Sequence, residues 1–320
     1  MLENADLGFV DELVADAFHQ DGTGRPPRKP LGVFKAHLAK RFLGVKGIRE
    51  LERKLWNDPR LRQLCDLEAD EPAYGRSVLS RFPQRIGLKR LQQIIDHILK
   101  GLKKVKLVKG ENVAMDASFI KAYSRIEMKT RLGCSDPDAR IGRSGKGYGL
   151  GYNLHLSVDA DAELPVAFTV TPANIRDIQE APNLLKATRR KFPRGVKHLI
   201  ADRGYSSDPF RAEVRKRRIE PIIPYRNNQR IGESGLLRID RHFKPHGPAR
   251  MKSLYKKRSA IERVFSRLKE QLSLRNHKVR GLVNVTLHVQ LCLIGMLLNA
   301  QAALNTNKPS KTISISYYAT

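Results

Sequence analysis

The apolar pattern of the chain changes near residue 106, and this change constrains the fold more than any other feature. Before it, apolar residues recur at helical spacing in segments that Gly and Pro separate. After it, short apolar runs with β-branched residues predict strands, with helical patterns between them. The predicted helices before residue 106 cover 3–19, 33–42, 48–56, 61–67, 74–86 and 88–102. The predicted strands cover 112–117, 152–159, 164–171, 197–202 and 220–224.

The order of the predicted elements after residue 106 is β-β-β-α-β-α-β-α-α. Three antiparallel strands in a meander, followed by helical crossovers, build a mixed sheet with helices on its faces. This order is that of a ribonuclease-H-like fold. We therefore predict an α/β, ribonuclease-H-like mixed five-stranded sheet with flanking helices, preceded by an all-helical N-terminal domain. In that fold the first and fourth strands are parallel neighbours, which brings Asp116 and Asp202 to one edge. The predicted domains are 1–108, 109–307 and a C-terminal tail, 308–320.

A helix predicted at about residues 251–272 carries charged and apolar residues on neighbouring stripes. Because a helix turns about 100° per residue, Tyr255, Arg258, Glu262 and Lys269 fall on one narrow stripe. The adjacent stripe is apolar and predicts a core-facing edge: Ile261, Phe265, Leu268 and Leu272. A carboxylate beside two cations and a phenol suits a metal ion held against a phosphate. Taken alone, the same row fits an exposed basic helix even better.

Asp116, Asp202 and Glu262 are the acidic residues that these elements direct toward one place. Three neighbouring carboxylates repel one another, and divalent cations that prefer hard oxygen ligands, such as Mg²⁺, relieve the repulsion. Two such ions about 4 Å apart activate an attacking oxygen and stabilise a leaving oxygen in phosphoryl transfer. Each aspartate alone is more often a turn residue at a strand end, so only the combination carries this prediction.

The charge of the chain predicts a polyanionic partner such as nucleic acid, because 60 Lys and Arg oppose 32 Asp and Glu for a net charge of +28. The three scattered cysteines exclude a disulfide framework and fit a reducing cytosol. Polar residues interrupt the apolar stretch 282–304, which predicts a buried helix and no membrane partner. A crowd of basic residues predicts DNA-end binding by the N-terminal helices: Arg41, Arg49, Arg53, Lys54, Arg60, Arg62, Arg76, Arg81, Arg85, Lys89 and Arg90.

The motifs resemble those of the DDE transposases of prokaryotic insertion sequences, in the group marked by a Y-R-E-K signature. Four residues fit that signature at every spacing: Tyr255, Arg258, Glu262 and Lys269. Residues 116–118, D-A-S, are similar to the first motif of the group, and residues 202–205, D-R-G-Y, are similar to the second. Further similar stretches are 47–82, 135–155 and 173–177.

The resemblance implies a DNA transposase, which cleaves the ends of a mobile element and transfers the strands into target DNA. It implies catalytic metal ligands for two Mg²⁺ or Mn²⁺ ions, namely Asp116, Asp202 and Glu262. It also implies contacts to DNA phosphates, from Tyr255, Arg258 and Lys269. The implied partners are double-stranded element ends and target DNA, bound by a homodimer on paired ends. The implied location is the cytoplasm, at the nucleoid.

Two other functions fit parts of this pattern. A catalytically inactive DNA-binding protein derived from a transposase would share the fold, but the intact carboxylate set argues against it. A basic RNA-binding protein would need exposed aromatics interleaved with Lys and Arg, whereas aromatics make up 7% of this chain and mostly occupy core positions. DNA transposition is therefore the leading interpretation.

Two further segments, 145–151 and 225–249, give weaker indications of function. The segment 145–151 lacks the spacing of a phosphate-binding loop, so we interpret it as a flexible hairpin tip that reaches DNA with Arg140, Arg143 and Lys146. Relatives that cut through a DNA hairpin carry a β-rich insertion, with a stacking Trp, before the last catalytic helix. Residues 225–249 are too few for such a domain and contain no Trp, which argues against that cleavage route.

Overall fold

The computed structural model describes residues 1–15, 17–18, 28–124, 135–145, 147–226 and 249–318. Packing divides the chain into two units. The first contains Met1–Lys104, Ser135–Asp138 and Ser266–Thr320, and the second contains Val105–Cys134 and Ala139–Phe265. The predicted domain boundaries differ from these units, because residues 266–307 pack with the N-terminal helices. As a functional division, the predicted domains stay a prediction. Most of the predicted loop at 225–249 lies outside the described residues.

Most helices lie within a few residues of their predicted bounds; the first covers only part of the predicted 3–19, and the segment 251–272 is divided. They are α1 (Gly8–Ala15), α2 (Pro30–Phe42), α3 (Ile48–Asn57), α4 (Pro59–Leu64), α5 (Arg76–Lys104), α6 (Asp177–Lys191), α7 (Asp208–Lys216), α8 (Ala249–Lys256), α9 (Ser259–Ser266) and α10 (Leu282–Asn305). Asp58 caps α4 by accepting a hydrogen bond from the N–H of Leu61 at 3.0 Å. Helix α5 bends at Gly87, whose φ of 77° favours glycine, and so joins the two helices predicted at 74–86 and 88–102.

Helix α10 is the core helix of the first unit. It packs against α5 and α2, and nearly all of its side chains from the second turn onward are buried. By length and composition it is apolar enough to cross a membrane, but 78% of its most apolar window is buried inside the protein. Two acids hold its first turn: Asp136 accepts the N–H of Gly281 at 3.1 Å, and Asp138 accepts that of Leu282 at 2.8 Å. The predicted buried helix is confirmed.

Two arginines of the predicted DNA-binding set are buried instead. Arg41 and Arg62 expose 3% and 9% of their surface. Arg62 donates hydrogen bonds to the carbonyl oxygens of Glu68 and Glu71, both at 2.6 Å, and Arg41 donates to that of His37 at 2.5 Å. These guanidinium groups satisfy backbone carbonyls that are turned inward. The prediction that Arg41 and Arg62 contact DNA is therefore wrong.

One sheet forms the centre of the second unit. Its strands are β1 (Asn112–Lys121), β2 (Arg140–Ser144), β3 (Gly147–Asp159), β4 (Leu164–Pro172), β5 (His198–Ala201) and β6 (Glu220–Ile222). Strand β3 pairs antiparallel with β1 and β4, whereas β5 pairs parallel with β1, and β6 pairs parallel with β5. The five predicted strands and the ribonuclease-H-like mixed sheet are confirmed. Strand β2 is an additional short strand that pairs with the first residues of β3.

The register of two parallel strands fixes the positions of two aspartates. Met115 on β1 pairs with Ala201 on β5, and both are fully buried. The next residue on each strand is an aspartate, Asp116 on β1 and Asp202 after β5. Apolar strands of this kind are typical of a sheet that helices cover, and α6 packs against β3 and β4. The carboxyl ends of parallel neighbours meet at one edge, so Asp116 and Asp202 lie at that edge.

The segment predicted as one helix at 251–272 contains two helices, α8 and α9, which meet at Lys257 and Arg258. At this junction backbone N–H groups bond three residues back rather than four, so the helix tightens. After α9 the chain continues as a π-helical turn, Arg267–Gln271. All four residues of the predicted apolar stripe are buried: Ile261, Phe265, Leu268 and Leu272.

Ion pairs connect α8 and α9 to the sheet. They join Arg250 to Glu220 at 2.7 Å, Lys257 to Asp161 at 2.5 Å and Arg263 to Glu163 at 2.5 Å. Asp161 and Glu163 lie in the turn between β3 and β4, and Glu220 begins β6. Each pair has at least one exposed partner, and exposed ion pairs contribute little to stability.

Candidate active site

Arg258 lies between two of the predicted metal ligands. Its Nη1 donates a hydrogen bond to Oδ2 of Asp116 at 3.3 Å, and its Nη2 donates to Oε1 of Glu262. Asp116 lies within β1 and also accepts the N–H of Ala117 on Oδ1 at 2.8 Å. Glu262 lies on α9, one turn after Arg258. One guanidinium group therefore joins the carboxylate of the central strand to that of the helix.

Asp202 begins a short turn, Arg203–Tyr205, directly after β5. Its Oδ1 accepts the N–H of Gly204 at 2.7 Å, which fixes the carboxylate over the end of the strand. A Cβ on Gly204 would lie 2.8 Å from that oxygen, so a larger residue there would push the carboxylate away. The glycine of the D-R-G-Y motif is thus explained by close approach of a side chain to the backbone.

The pKa values show which groups share the field of this site. Burial, with the added charge of Asp202 and against the opposing effects of the Ala117 N–H and Arg258, raises the pKa of Asp116 to about 7. Burial and then Asp202 also raise the pKa of Asp177. Asp202 is therefore close enough to Asp116 and Asp177 to destabilise the charged forms of both.

The cation and the phenol of the predicted stripe respond to the same carboxylates. Partial burial works to lower the pKa of Arg258, but Glu262 and Asp116 outweigh it and the pKa is raised. Burial raises the pKa of Tyr255. The charge of Arg258 opposes this shift, and the charge of Asp202 adds to it. Lys269 lies in the π-helical turn and belongs to the first unit, so its place relative to the carboxylates is not described. Contacts of these three residues with DNA stay predictions.

Asp177 is a fourth acidic residue that the motifs did not assign to the site. It begins α6, where an aspartate is also an ordinary first-turn residue, and this hides its role in the sequence. Nδ1 of His155 lies 3.8 Å from Oδ1 of Asp177, and Nε2 of His155 bonds Oγ1 of Thr171 at 2.9 Å. Burial lowers the pKa of His155 to about 4, so this imidazole is neutral at pH 7 and orients its neighbours without adding charge.

Tyr205 carries a buried hydroxyl that has no hydrogen-bond partner within the described part of the chain. Burial raises its pKa well above the ordinary value, and the carboxylates of Asp116, Asp177 and Asp202 add to this effect. An unsatisfied buried hydroxyl costs free energy. A water molecule or a hydrated cation among the three carboxylates would satisfy it.

The donor set suits a divalent cation by its chemistry, because carboxylate oxygens are hard ligands, and burial together with the charge of Asp202 raises the pKa of Asp116. As the side chains stand, the described residues contain no group of three His, Cys, Asp or Glu side chains that could hold a metal ion. Glu262 is 55% exposed and is engaged by Arg258. Binding of one ion by Asp116, Asp202 and Glu262 thus requires Glu262 to exchange the guanidinium for the ion.

Comparisons with known proteins agree with this fold. Residues 109–298, more than half of the chain, match the family model described as transposase DDE domain. Residues 1–85 match the model described as transposase domain (DUF772). A search of curated proteins found no significant match.

Two solved structures are similar to the chain. The piggyBac transposase in a synaptic complex with hairpin DNA matches with 11% identity and a TM-score of 0.51, over 100% of this chain and 77% of that one. At that identity, the match shows only that the two proteins share a similar fold. The Mos1 transposase paired-end complex with the left transposon end covers 81% of this chain and 82% of that one, with 13% identity. Its TM-score of 0.23 is too low to indicate a shared arrangement. By its match to the DDE domain, the chain belongs to the family of DDE-type DNA transposases.

Proposed function

We propose that the chain binds double-stranded DNA at the ends of a mobile element, cleaves one or both strands there and joins the free 3′ ends to target DNA. The observation that supports this most directly is the placement of Asp116 and Asp202 side by side, with Arg258 joining Asp116 to Glu262. The net charge of +28 suits a DNA partner. The piggyBac transposase, which shares the fold, is seen in a complex with hairpin DNA.

The DDE family implies dependence on a divalent metal. We propose that Asp116, Asp202 and Glu262 hold two Mg²⁺ or Mn²⁺ ions. When bound, such ions polarise the phosphate and lower the pKa of the attacking water or 3′ hydroxyl. A water molecule on a bound ion would give the hydroxyl of Tyr205 a hydrogen-bond partner. In the described residues, this is the only unsatisfied hydroxyl that we find beside these carboxylates.

In this proposal Arg258 changes partners during the reaction. Before DNA and metal bind, its guanidinium compensates the charge of Asp116 and Glu262. If Glu262 served as a metal ligand, Nη2 of Arg258 would be available to a phosphate oxygen of the bound strand, and the planar guanidinium suits that contact. We propose that Tyr255 lines the same phosphate site, and a phosphate contact by Lys269 stays a prediction from the sequence signature.

The finer assignments rest on sequence. Tyr255, Arg258, Glu262 and Lys269 keep the spacing of the Y-R-E-K group, which supports origin in a prokaryotic insertion sequence. We extend the proposal to a homodimer on paired element ends and to a location in the cytoplasm, at the nucleoid. The helices of residues 1–108 are the part that we assign to end binding.

Cleavage of a defined duplex tests the proposed function. The substrate is an end-labelled duplex that carries the inverted repeats flanking the coding region, incubated with the full chain and Mg²⁺. We expect a nick with a free 3′ hydroxyl at the repeat boundary, and none with Asp116→Asn. If wild-type protein binds the duplex but yields no nick with Mg²⁺ or Mn²⁺, the catalytic proposal is wrong and a DNA-binding function remains.

A further inference from the structure

The hairpin of β2 and β3 has two faces that differ sharply in composition. One face is made of glycines that lie against the sheet. A Cβ on Gly142 would lie 2.0 Å from the carbonyl oxygen of Ala173, and a Cβ on Gly151 would lie 2.1 Å from that of Ile120. Because no side chain fits at these positions, the glycines hold the base of the hairpin in one place. The base of the hairpin thus packs closely on one face, whereas Gly147 at the tip meets no atom within 4 Å, and the flexibility of the tip stays a prediction.

The opposite face carries four side chains, which we call the hairpin face: Ile141, Arg143, Tyr148 and Leu150. Tyr148 pairs with Arg143 across the strands, and Ile141 pairs with Leu150. Tyr148 is 82% exposed and Ile141 is 56% exposed, and Arg143 is exposed as well. Burial of an aromatic is favourable, so an exposure of this size on a fixed strand points to a binding surface.

The charge around the hairpin face favours a polyanion as its partner. Residues 139–158 contain Arg140, Arg143 and Lys146 and no Asp or Glu. The same face on a second copy of this chain would carry the same positive charge, so the hairpin face does not complement itself. DNA supplies both parts of the match, since phosphates accept hydrogen bonds from Arg143 and sugars and bases offer apolar surface to Tyr148.

The hairpin extends from the edge of the sheet where the candidate active site lies. Leu156 on β3 pairs with Asp116 on β1, and Tyr148 precedes Leu156 by eight residues on the same strand. At about 3.3 Å per residue, Tyr148 lies roughly 26 Å from the level of Asp116. Since β3 runs antiparallel to β1, this displacement points past the carboxyl end of β1. DNA rises about 3.4 Å per base pair, so the span corresponds to roughly eight base pairs.

We propose that the hairpin face binds the duplex about eight base pairs from the phosphate that the active site attacks, with Arg143 on the backbone and Tyr148 against a sugar or base edge. This inference rests on the proposed function, because it assumes that DNA reaches Asp116. It assigns to this transposase a contact that measures distance along the DNA from the cut.

Binding of a labelled duplex tests the two contacts separately. The probe is a fluorescein-labelled mixed-sequence duplex of about 30 base pairs, several times the ~8-base-pair span, titrated with full chain in EDTA at a series of KCl concentrations. We expect Arg143→Ala to reduce the salt slope of binding by about one, since it removes one phosphate contact. Tyr148→Ala should weaken binding by about 3- to 10-fold with an unchanged slope, and Tyr148→Phe should restore it.

Matched variants control for charge and for loss of an exposed aromatic. Arg194 is exposed in the loop before β5, at the opposite edge of the sheet, and Tyr317 is 42% exposed in the first unit. We expect Arg194→Ala and Tyr317→Ala to bind like wild type. Equal losses from Arg143→Ala and Arg194→Ala would show a general charge effect and overturn the assignment of the hairpin face.

A photo-crosslink locates the contact. With benzoylphenylalanine in place of Tyr148, irradiation of the complex with the cleavage duplex should attach the protein to DNA about 6–10 base pairs from the nick, the span derived from strand geometry. A crosslink between two protein chains, or one at the nick itself, would refute the proposal. If wild-type protein binds and nicks DNA normally while position 148 does not crosslink to it, only this inference fails. If no nick forms at all, the proposed function fails first.

Discussion

Asp116 and Arg258 are 142 residues apart in sequence, yet Oδ2 of the aspartate accepts a hydrogen bond from Nη1 of the arginine at 3.3 Å. Arg258 lies at the junction of α8 and α9, and from there its side chain reaches the middle of β1. In the absence of metal and DNA, this contact supplies positive charge to a site that is otherwise rich in carboxylates. Substitutions of Arg258 can separate a catalytic role of this contact from a structural role.

We expect Arg258→Ala to lower the single-turnover cleavage rate by about 100-fold or more, because it removes a cation beside the transferring phosphoryl group. Arg258→Lys should recover only part of the rate, since an ammonium cannot grip a phosphate bidentately. The melting temperature near pH 7 should change little, because the pair with Glu262 is exposed and Asp116, whose pKa is about 7, can take up a proton when the guanidinium is lost. The control is Arg263→Ala, a change on the same helix as Glu262. It removes the ion pair between Arg263 and Glu163 and should leave cleavage normal.

A second prediction concerns the third carboxylate. Glu262→Gln should bind the cleavage duplex like wild type and cut it at no detectable rate, because the amide is nearly isosteric but lacks the charge that a metal ligand supplies. Gel-shift and cleavage assays on one preparation measure both. Glu270→Gln changes an exposed glutamate that pairs with Arg275 and should leave cleavage intact. Robust Mg²⁺-dependent cutting by Glu262→Gln would remove this residue from the metal site.

The raised pKa of Asp116 predicts how stability depends on pH in the metal-free protein. The folded state holds this proton up to about pH 7, whereas the unfolded chain releases it near pH 4. Between these values the folded state binds more protons, so this group's contribution to stability is complete below about pH 4 and is lost as pH rises to about 7. Thermal unfolding in EDTA should show Asp116→Asn gaining stability relative to wild type as pH rises through that window. His155, with a lowered pKa, has the opposite trend in both proteins and cancels in the difference.

Tyr205→Phe tests whether the unsatisfied hydroxyl of Tyr205 forms a hydrogen bond to a water molecule on a bound metal ion. Without metal, the variant should be as stable as wild type or more so, because it removes a buried group that lacks a partner in the described residues. Mn²⁺ affinity, measured by calorimetry, should fall by about 10-fold, as for other outer-sphere hydrogen bonds. The control is Tyr74→Phe, which removes a hydroxyl that bonds the carbonyl of Cys65 at 2.7 Å and should cost about 1 kcal/mol. Equal destabilisation by both changes would mean that Tyr205 has a structural partner.

Gly142→Ala tests the close packing under the hairpin. Its added methyl would lie 2.0 Å from the carbonyl oxygen of Ala173, so the hairpin must shift, and we expect a loss of about 2–3 kcal/mol in the free energy of unfolding. Gly147→Ala meets no atom within 4 Å and should be neutral. Chemical denaturation of both variants measures the difference. A neutral Gly142→Ala would mean that the hairpin is held by other contacts.

Much of this fold is predictable from local sequence, and the exceptions have physical causes. Apolar runs that end on Asp116 and Asp202 predict two strands and the edge they share, since strand pairing needs only the runs and their order. The break at Arg258 is not predictable, because the residues around it have helical spacing and only packing tightens the backbone there. The burial of Arg41 and Arg62 is hidden for a similar reason: composition counts their charge but does not show which carbonyls they satisfy.

The candidate site is partly predictable too. The motifs identify residues by spacing, so they find Asp116, Asp202 and Glu262. They miss Asp177, because an aspartate at the start of a helix is common for reasons of capping and dipole alone. They also miss the state of Tyr205, since an unsatisfied hydroxyl is a property of three-dimensional surroundings. The structure reveals Asp177 by the influence of Asp202 on its pKa, and it reveals Tyr205 by the missing partner of its buried hydroxyl in the described residues.

The packing of α10 against α2 and α5 affects the order in which the chain can fold during synthesis. The ribosome releases residues 1–104 first, but the core of their unit stays incomplete until residues 282–305 emerge. The strands β1 to β6 are nearly contiguous and are released in between, so the sheet can fold while the helices ahead of it still wait for their central partner. A chain truncated after β6 would lack α10, so its N-terminal helices could not bury the apolar faces that α10 covers. We expect proteases to degrade such a product before it can compete with the full-length chain for DNA.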